Sequence, residues 1–173
     1  VVTPQNGYTL GMNFCPMWEA GYHQGYDKEN RDKDRLPYIG YYDEDSSEAL
    51  DWIIKQNVEH GINLFKVTWA NSYDSALVKH PYCSGSFFNA YFKSKYKDLT
   101  KFMITWETGV GSQVTPEQFV NDVAPNWIEY YFKDSGYYKV DGRPVVCFYD
   151  PENMIKKAGQ DLERIKSAFE EFR

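Results

Sequence analysis

The run DSSEALDWIIKQNVEHGINLFKVTW, Asp45 to Trp69, holds a helix start, an amphipathic helix, a stop and a strand without interruption. Asp45-Ser46-Ser47-Glu48 has capping-box spacing, with Asp45 expected as N-cap and Glu48 reaching back to it. Leu50, Ile53, Ile54 and Val58 recur at helical spacing and define one apolar face. Gly61 supplies the left-handed residue that ends helices, and Ile62–Trp69 reads as an apolar strand. A helix that turns at a glycine straight into such a strand is half of a repeating strand–helix unit.

The unit recurs on both sides. Leu10–Met17 is the strand before it, and Lys101–Trp106 and Pro144–Tyr149 are the strands after it. A shorter helix with Phe88, Tyr91, Phe92 and Tyr96 inward precedes the third strand. Thr115-Pro116-Glu117-Gln118 opens the next helix, with Thr as N-cap, Pro at the first helical position and Gln closing the box. Its stripe is Phe119, Val120, Val123, Trp127, Ile128 and Tyr131, Pro125 is expected to kink or split it, and Gly136 closes it. Asp141-Gly142 makes a turn, and a last helix over Asp161–Phe172 buries Leu162, Ile165, Ala168 and Phe169.

The order β-α-β-α-β-α-β-α implies a parallel sheet with right-handed crossovers. A doubly wound sheet would be expected to carry a glycine-rich phosphate loop, and neither of its usual spacings occurs. Gly109-Val110-Gly111 lacks the third glycine and follows an acidic Glu107. The expected fold is therefore α/β, a (βα)4 portion of a TIM-type (βα)8 barrel. The 173 residues fall short of the ~250 of a complete barrel. The chain begins Val1-Val2-Thr3 without methionine, as either a processed protein or an excised piece of one would, and residues 1–173 are expected to form a single domain, the N-terminal half of a barrel.

Composition narrows the partners. Net charge is −6 with both signs interspersed, which argues against a nucleic-acid surface. No stretch reaches the ~20 apolar residues of a membrane span, and no signal peptide is visible. Cys15 and Cys147 fall in predicted strands and read as small buried residues, while Cys83 has no C-x-x-C partner. Neither a metal nor another cofactor is expected. No G-x-S-x-G elbow occurs, so a serine triad is not indicated. Ala20–Asp45 reads as a long polar loop whose core, Asp27–Arg35, is almost wholly charged. Aromatics form 18% of the chain, including 15 Tyr, a surplus expected on a ligand surface.

Each apolar run ends in an aromatic residue followed by polar ones: Trp18-Glu19, Trp69-Ala70-Asn71, Trp106-Glu107 and Tyr149-Asp150, with Tyr73 just beyond. Strand C-termini of a βα-barrel converge on one rim, where ligands bind. Rings stack on the C–H faces of a pyranose, and carboxylates and amides bond its hydroxyls. Apart from Ala70, these nine residues are the candidate substrate-binding set, with Glu107 the candidate supporting carboxylate and the catalytic residues unknown. Five of them have a plainer reading. Glu107 could pair with a lysine, Glu19 could face solvent, Asp150 could cap a turn before Pro151, and Trp69 and Trp106 could be lids on the core. His60 beside Gly61 suits a helix C-terminus, His23 lies in the long first loop, and His80 has no evident role.

The segment Leu36–Trp69, with its Tyr-Pro-type loop, acidic stretch and Gly-Ile helix end, resembles glycoside hydrolase family 99. "FMITWETG" resembles that family's third strand, and "YYKVDGRPVVCFYDPENM" the lead-in to its fourth. The same segments resemble the WbsX-like proteins, described as glycosyltransferases of bacterial polysaccharide clusters. The family resemblance implies a (βα)8 barrel that hydrolyses internal α-mannosidic bonds with retention, in an extracellular or periplasmic setting. It also implies catalytic carboxylates on later strands, beyond Arg173. The family's Glu-Pro-Tyr reads Glu107-Thr108-Gly109 here, so its tyrosine contact is missing. The rivals are glycosyl transfer and a non-catalytic carbohydrate-binding barrel.

Overall fold

A computed structural model of the chain describes residues 7–18, 37–70, 85–108 and 114–172. The strands β1 (Gly11–Phe14), β2 (Leu64–Trp69), β3 (Lys101–Trp106) and β6 (Val146–Phe148) form one sheet in the order β1-β2-β3-β6. β1 pairs with β2, and β3 with β6, in parallel. Two residues each of β4 (Lys139–Val140) and β5 (Arg143–Pro144) make a separate antiparallel hairpin. Its turn, Asp141-Gly142, has φ of 51° and 76°, the left-handed pair that matches the twist of a hairpin. The α/β class with a parallel four-stranded sheet follows the sequence expectation. The chain divides into two compact units, Val1–Val67 with Cys83–Phe102, and Thr68–Tyr82 with Met103–Arg173.

In the first unit, α1 (Ser47–Glu59) is capped by Ser46, whose hydroxyl accepts from Ala49 N at 3.3 Å. The expected cap was Asp45; any of three successive cap-competent residues fits the spacing, and hydrogen bonding selects the second. Leu50, Ile54 and Val58 are buried as the periodicity requires, whereas Ile53 is half-buried. The helix ends in a Schellman motif: Ile62 N bonds Asn57 O at 2.8 Å, Gly61 N bonds Val58 O at 3.1 Å, and Gly61 has φ 85°. His60 caps it, its Nδ1 2.7 Å from Gln56 O. Buried Asp51 accepts from Ser94 Oγ at 2.5 Å and pairs with Lys95, tying α1 to the end of α2 (Gly85–Lys93).

The core of this unit is aromatic. Phe14 and Phe65 meet Phe87 of α2 at centroid separations of 5.2 and 5.6 Å, and Phe102 meets Phe88 and Tyr91 at 5.4 and 5.0 Å. Phe92, expected inward, lies at the edge with 37% exposure. Cys15 is exposed rather than buried, because it alternates with Phe14 onto the other side of the strand.

In the second unit, Thr115 and Gln118 complete the expected capping box at the start of α3 (Pro116–Gln118). The backbone stays helical from 116 to 132, through a π-segment at Phe119–Val123, α4 (Ala124–Trp127) and a second π-segment at Ile128–Phe132. Pro125 therefore neither splits nor ends it. The π-turn closes with Ala124 N bonded to Phe119 O, and Pro125 then falls in the first turn of α4, the position where a missing N–H is best tolerated. Ile128 is exposed, since the π-turns rotate the later stripe away from its α-helical phase. A short α5 (Pro151–Lys157), absent from the sequence reading, follows β6, and α6 (Leu162–Phe172) buries Ala168 while Leu162 stays exposed. Phe148, Phe119 and Trp127 take rings from α6: Phe169 lies 5.2 and 5.5 Å from the first two, and Phe172 6.4 Å from Trp127.

Candidate functional site

The strand ends of the second unit show how a two-residue period sorts side chains. Trp69, Trp106 and Phe148 sit on the helix-covered face. Trp69 and Trp106 meet Trp127 edge-on at 5.2 and 5.4 Å, and Trp106 stacks on Phe119 at 5.3 Å. Trp69 is 0% and Trp106 2% exposed. Neither ring offers a face to a sugar, so the stacking-platform reading gives way to the core-lid reading that the sequence had left beside it. The physical reason is alternation: in Trp106-Glu107 the two side chains leave a strand on opposite sides.

The other face carries the polar set. Thr105 and Cys147 are register partners, Glu107 N donates to Trp69 O at 2.8 Å, and Tyr149 N donates to Trp106 O at 2.9 Å. This parallel pattern places Thr68, Thr105 and Cys147 in one row, and Ala70, Glu107 and Tyr149 in the next toward the strand C-termini. Glu107 is half-buried and Tyr149 is 71% exposed. Thr105 is half-buried, with its Oγ1 enclosed and without a protein hydrogen-bond partner. A half-buried carboxylate and an open phenol ring can accept hydrogen bonds and stack.

Asp150 has a different task. Its carboxylate accepts from Asn153 N at 3.1 Å and caps α5, which favours the turn-capping reading over ligand contact. Thr108, 2% exposed, is locked to that helix start by three bonds. Its Oγ1 donates to Asp150 O at 2.5 Å and accepts from Asp150 N at 3.0 Å, and its carbonyl accepts from Asn153 Nδ2 at 2.6 Å.

Trp18 belongs to the first unit and is half-buried, its ring 5.2 Å from Tyr42 and 6.3 Å from Tyr41. Its N–H donates to Glu44 Oε2 at 2.6 Å, and its carbonyl accepts from Glu44 N at 2.7 Å. Glu44 is 7% exposed, and burial pushes its carboxyl up to about 7, aided by the nearby Asp43 charge and opposed by the N–H groups of Trp18 and Met17. Burial, then the Glu44 charge, also raises the Tyr42 phenol. The sequence reading passed over Glu44 as part of an acidic stretch, and only the return of the chain to Trp18 reveals it.

Glu19, Asn71, Tyr73, His23, His80, Cys83, the loop core Asp27–Arg35 and the Gly109-Val110-Gly111 turn lie outside the described residues. A groove of about 270 Å³ in the second unit runs between α3 and α6, bridged by the bidentate pair Arg164–Glu117 at 2.5 and 2.6 Å. None of its lining residues is a strand-end residue, so it is separate from the polar row. Among the described residues no cluster of three or more His, Cys, Asp or Glu could hold a metal, and no helix is long and apolar enough to cross a membrane.

A parallel βα sheet with a polar row at its strand ends defines a class, and solved structures share its fold. A GH99 endo-alpha-mannosidase from Bacteroides thetaiotaomicron, in complex with bis-tris-propane, matches with TM-score 0.52 and 19% identity over 68% of this chain and 33% of that one. A second structure of the GH99 endo-alpha-mannosidase from the same organism matches with TM-score 0.51 and 17% identity over 77% of this chain and 44% of that one. The chain spans less than half the length of either. No family model matches the sequence, and no curated protein does.

Proposed function

We propose that this chain supplies the substrate-binding rim of a glycoside hydrolase of the family 99 type, acting on an α-mannoside-containing glycan outside the cytoplasm. Glu107 carries the reading. It is a half-buried carboxylate at the end of a parallel strand, opposite the aromatic core, in a fold shared with endo-alpha-mannosidases. Its oxygens would accept hydrogen bonds from sugar hydroxyls, and the Tyr149 ring would lie against a pyranose C–H face. Asn71 and Tyr73, which follow β2 in the sequence, belong to the rim in this proposal. Trp18 with Glu19 is a separate aromatic–carboxylate candidate in the first unit.

In this reading residues 1–173 are the N-terminal half of a barrel. A retaining glycosidase with a carboxylate nucleophile holds its catalytic carboxyls ~5–5.5 Å apart. The pair would come from strands outside this chain, leaving Glu107 to hold substrate beside it. Calorimetric titration with α-linked manno-oligosaccharides tests the reading. The wild-type protein should bind, and Glu107→Gln should weaken binding about tenfold or more, the scale of a lost hydrogen bond to a charged group. Absent binding, or equal affinity in the variant, sinks it, and preferential binding of a nucleotide sugar would favour glycosyl transfer instead.

A further inference from the structure

The residues around Glu107 are held more firmly than a solvated strand end requires. On its N-terminal side, the Glu107 N–H is bonded to Trp69 O of β2. On its C-terminal side, Thr108 is buried and bonded through both side chain and carbonyl to Asp150 and Asn153, in the first turn of α5. Asp150 in turn caps that helix through Asn153 N, so Asn153 is fixed by its own backbone while its amide holds Thr108. A carboxylate that must meet a ligand within a few tenths of an ångström needs its Cα–Cβ direction fixed by such second bonds.

We propose that Thr108 and Asn153 are positioning residues that aim Glu107 at the bound sugar. This rests on the reading of Glu107 as a sugar contact. Neither residue touches the ligand; each acts by fixing the backbone that carries the carboxylate. The threonine hydroxyl is essential to the device, because it donates to one Asp150 backbone group and accepts from the other. Valine has nearly the same shape and can do neither.

The test is a double-mutant cycle on affinity for an α-linked manno-oligosaccharide, with thermal unfolding recorded for every variant. Thr108→Val and Asn153→Ala should each weaken binding about five- to tenfold, and Thr108→Ser should restore most of what Thr108→Val loses. The deciding readout is context. In a Glu107→Gln background, Thr108→Val should cause no further loss, because the group it aims has gone. An equal loss in both backgrounds would show a structural role and overturn the proposal, as would a folded Thr108→Val with wild-type affinity. Should Thr108→Val fail to fold, Asn153→Ala, which removes the Nδ2 bond to the Thr108 carbonyl at a half-buried position, decides the matter by the same cycle. If wild-type protein does not bind, or Glu107→Gln binds equally well, the functional reading fails and the aiming role falls with it. If Glu107→Gln weakens binding while both latch variants leave it intact, only the aiming role falls.

Discussion

Glu44 keeps its proton to a higher pH in the folded protein than in the unfolded chain, because burial outweighs the two backbone N–H groups that favour its charge. With a folded value of about 7 against 4.5, the folded state binds more protons between those limits. Stability from this group is therefore fully present below pH 4.5, declines as pH rises to about 7, and levels off above it. Urea unfolding of wild type and Glu44→Gln at both ends of that window should differ in pH dependence by on the order of 2 kcal/mol. Parallel curves would remove Glu44 as the cause. Tyr137 gives a second test. It is 2% exposed, its hydroxyl donates to Val145 O at 2.9 Å and accepts from Ile104 N at 3.2 Å, and burial raises its phenol well above the usual range. Tyr137→Phe leaves both groups unpaired and should cost about 1–3 kcal/mol in denaturant unfolding.

Elements were legible where one signal dominated. Gly61 ends α1 through a complete Schellman motif, and the Thr115–Gln118 box was readable residue by residue. Legibility failed where signals competed. Asp45, Ser46 and Ser47 could each cap α1, and Pro151 read as a turn rather than as the first residue of α5. The site was obscured for a similar reason. Reading both members of Trp106-Glu107 as ligand contacts set strand periodicity aside, and the structure restores it by burying the ring and turning the carboxylate to the other face. The cap assignment is directly testable: Ser46→Ala should lower stability by about 1 kcal/mol and Asp45→Ala by a few tenths. Equal losses would return the cap to a shared role. In the later helix, Thr115→Ala and Gln118→Ala should be less than additive in a thermal-unfolding cycle, because they share one box.

At the scale of the whole molecule, the aromatic surplus goes mainly inward. Phe14, Phe65, Phe87, Phe88, Tyr91 and Phe102 fill one unit, and Trp69, Trp106, Phe119, Trp127 and Phe132 fill the other. Of the strand-end aromatics proposed for the rim, Tyr149 is exposed while Trp69 and Trp106 are buried. Trp106→Ala should accordingly destabilise the fold by about 3–5 kcal/mol, measured by denaturant unfolding. Tyr149→Ala should leave stability within about 0.5 kcal/mol and weaken sugar binding. Reversal of those two outcomes would move the ligand surface back to the indoles.

The three tryptophans of the second unit lie ring to ring, Trp127 nearly perpendicular to Trp69 and to Trp106 at 86° and 89°. Indole transitions held that close can couple, so this half of the chain is expected to show an exciton couplet in circular dichroism that vanishes when the rings part. The other unit holds Trp18 and Trp52 and draws its core from phenylalanine and tyrosine. Loss of the couplet during denaturation would thus time the opening of one unit separately from the other, without a label.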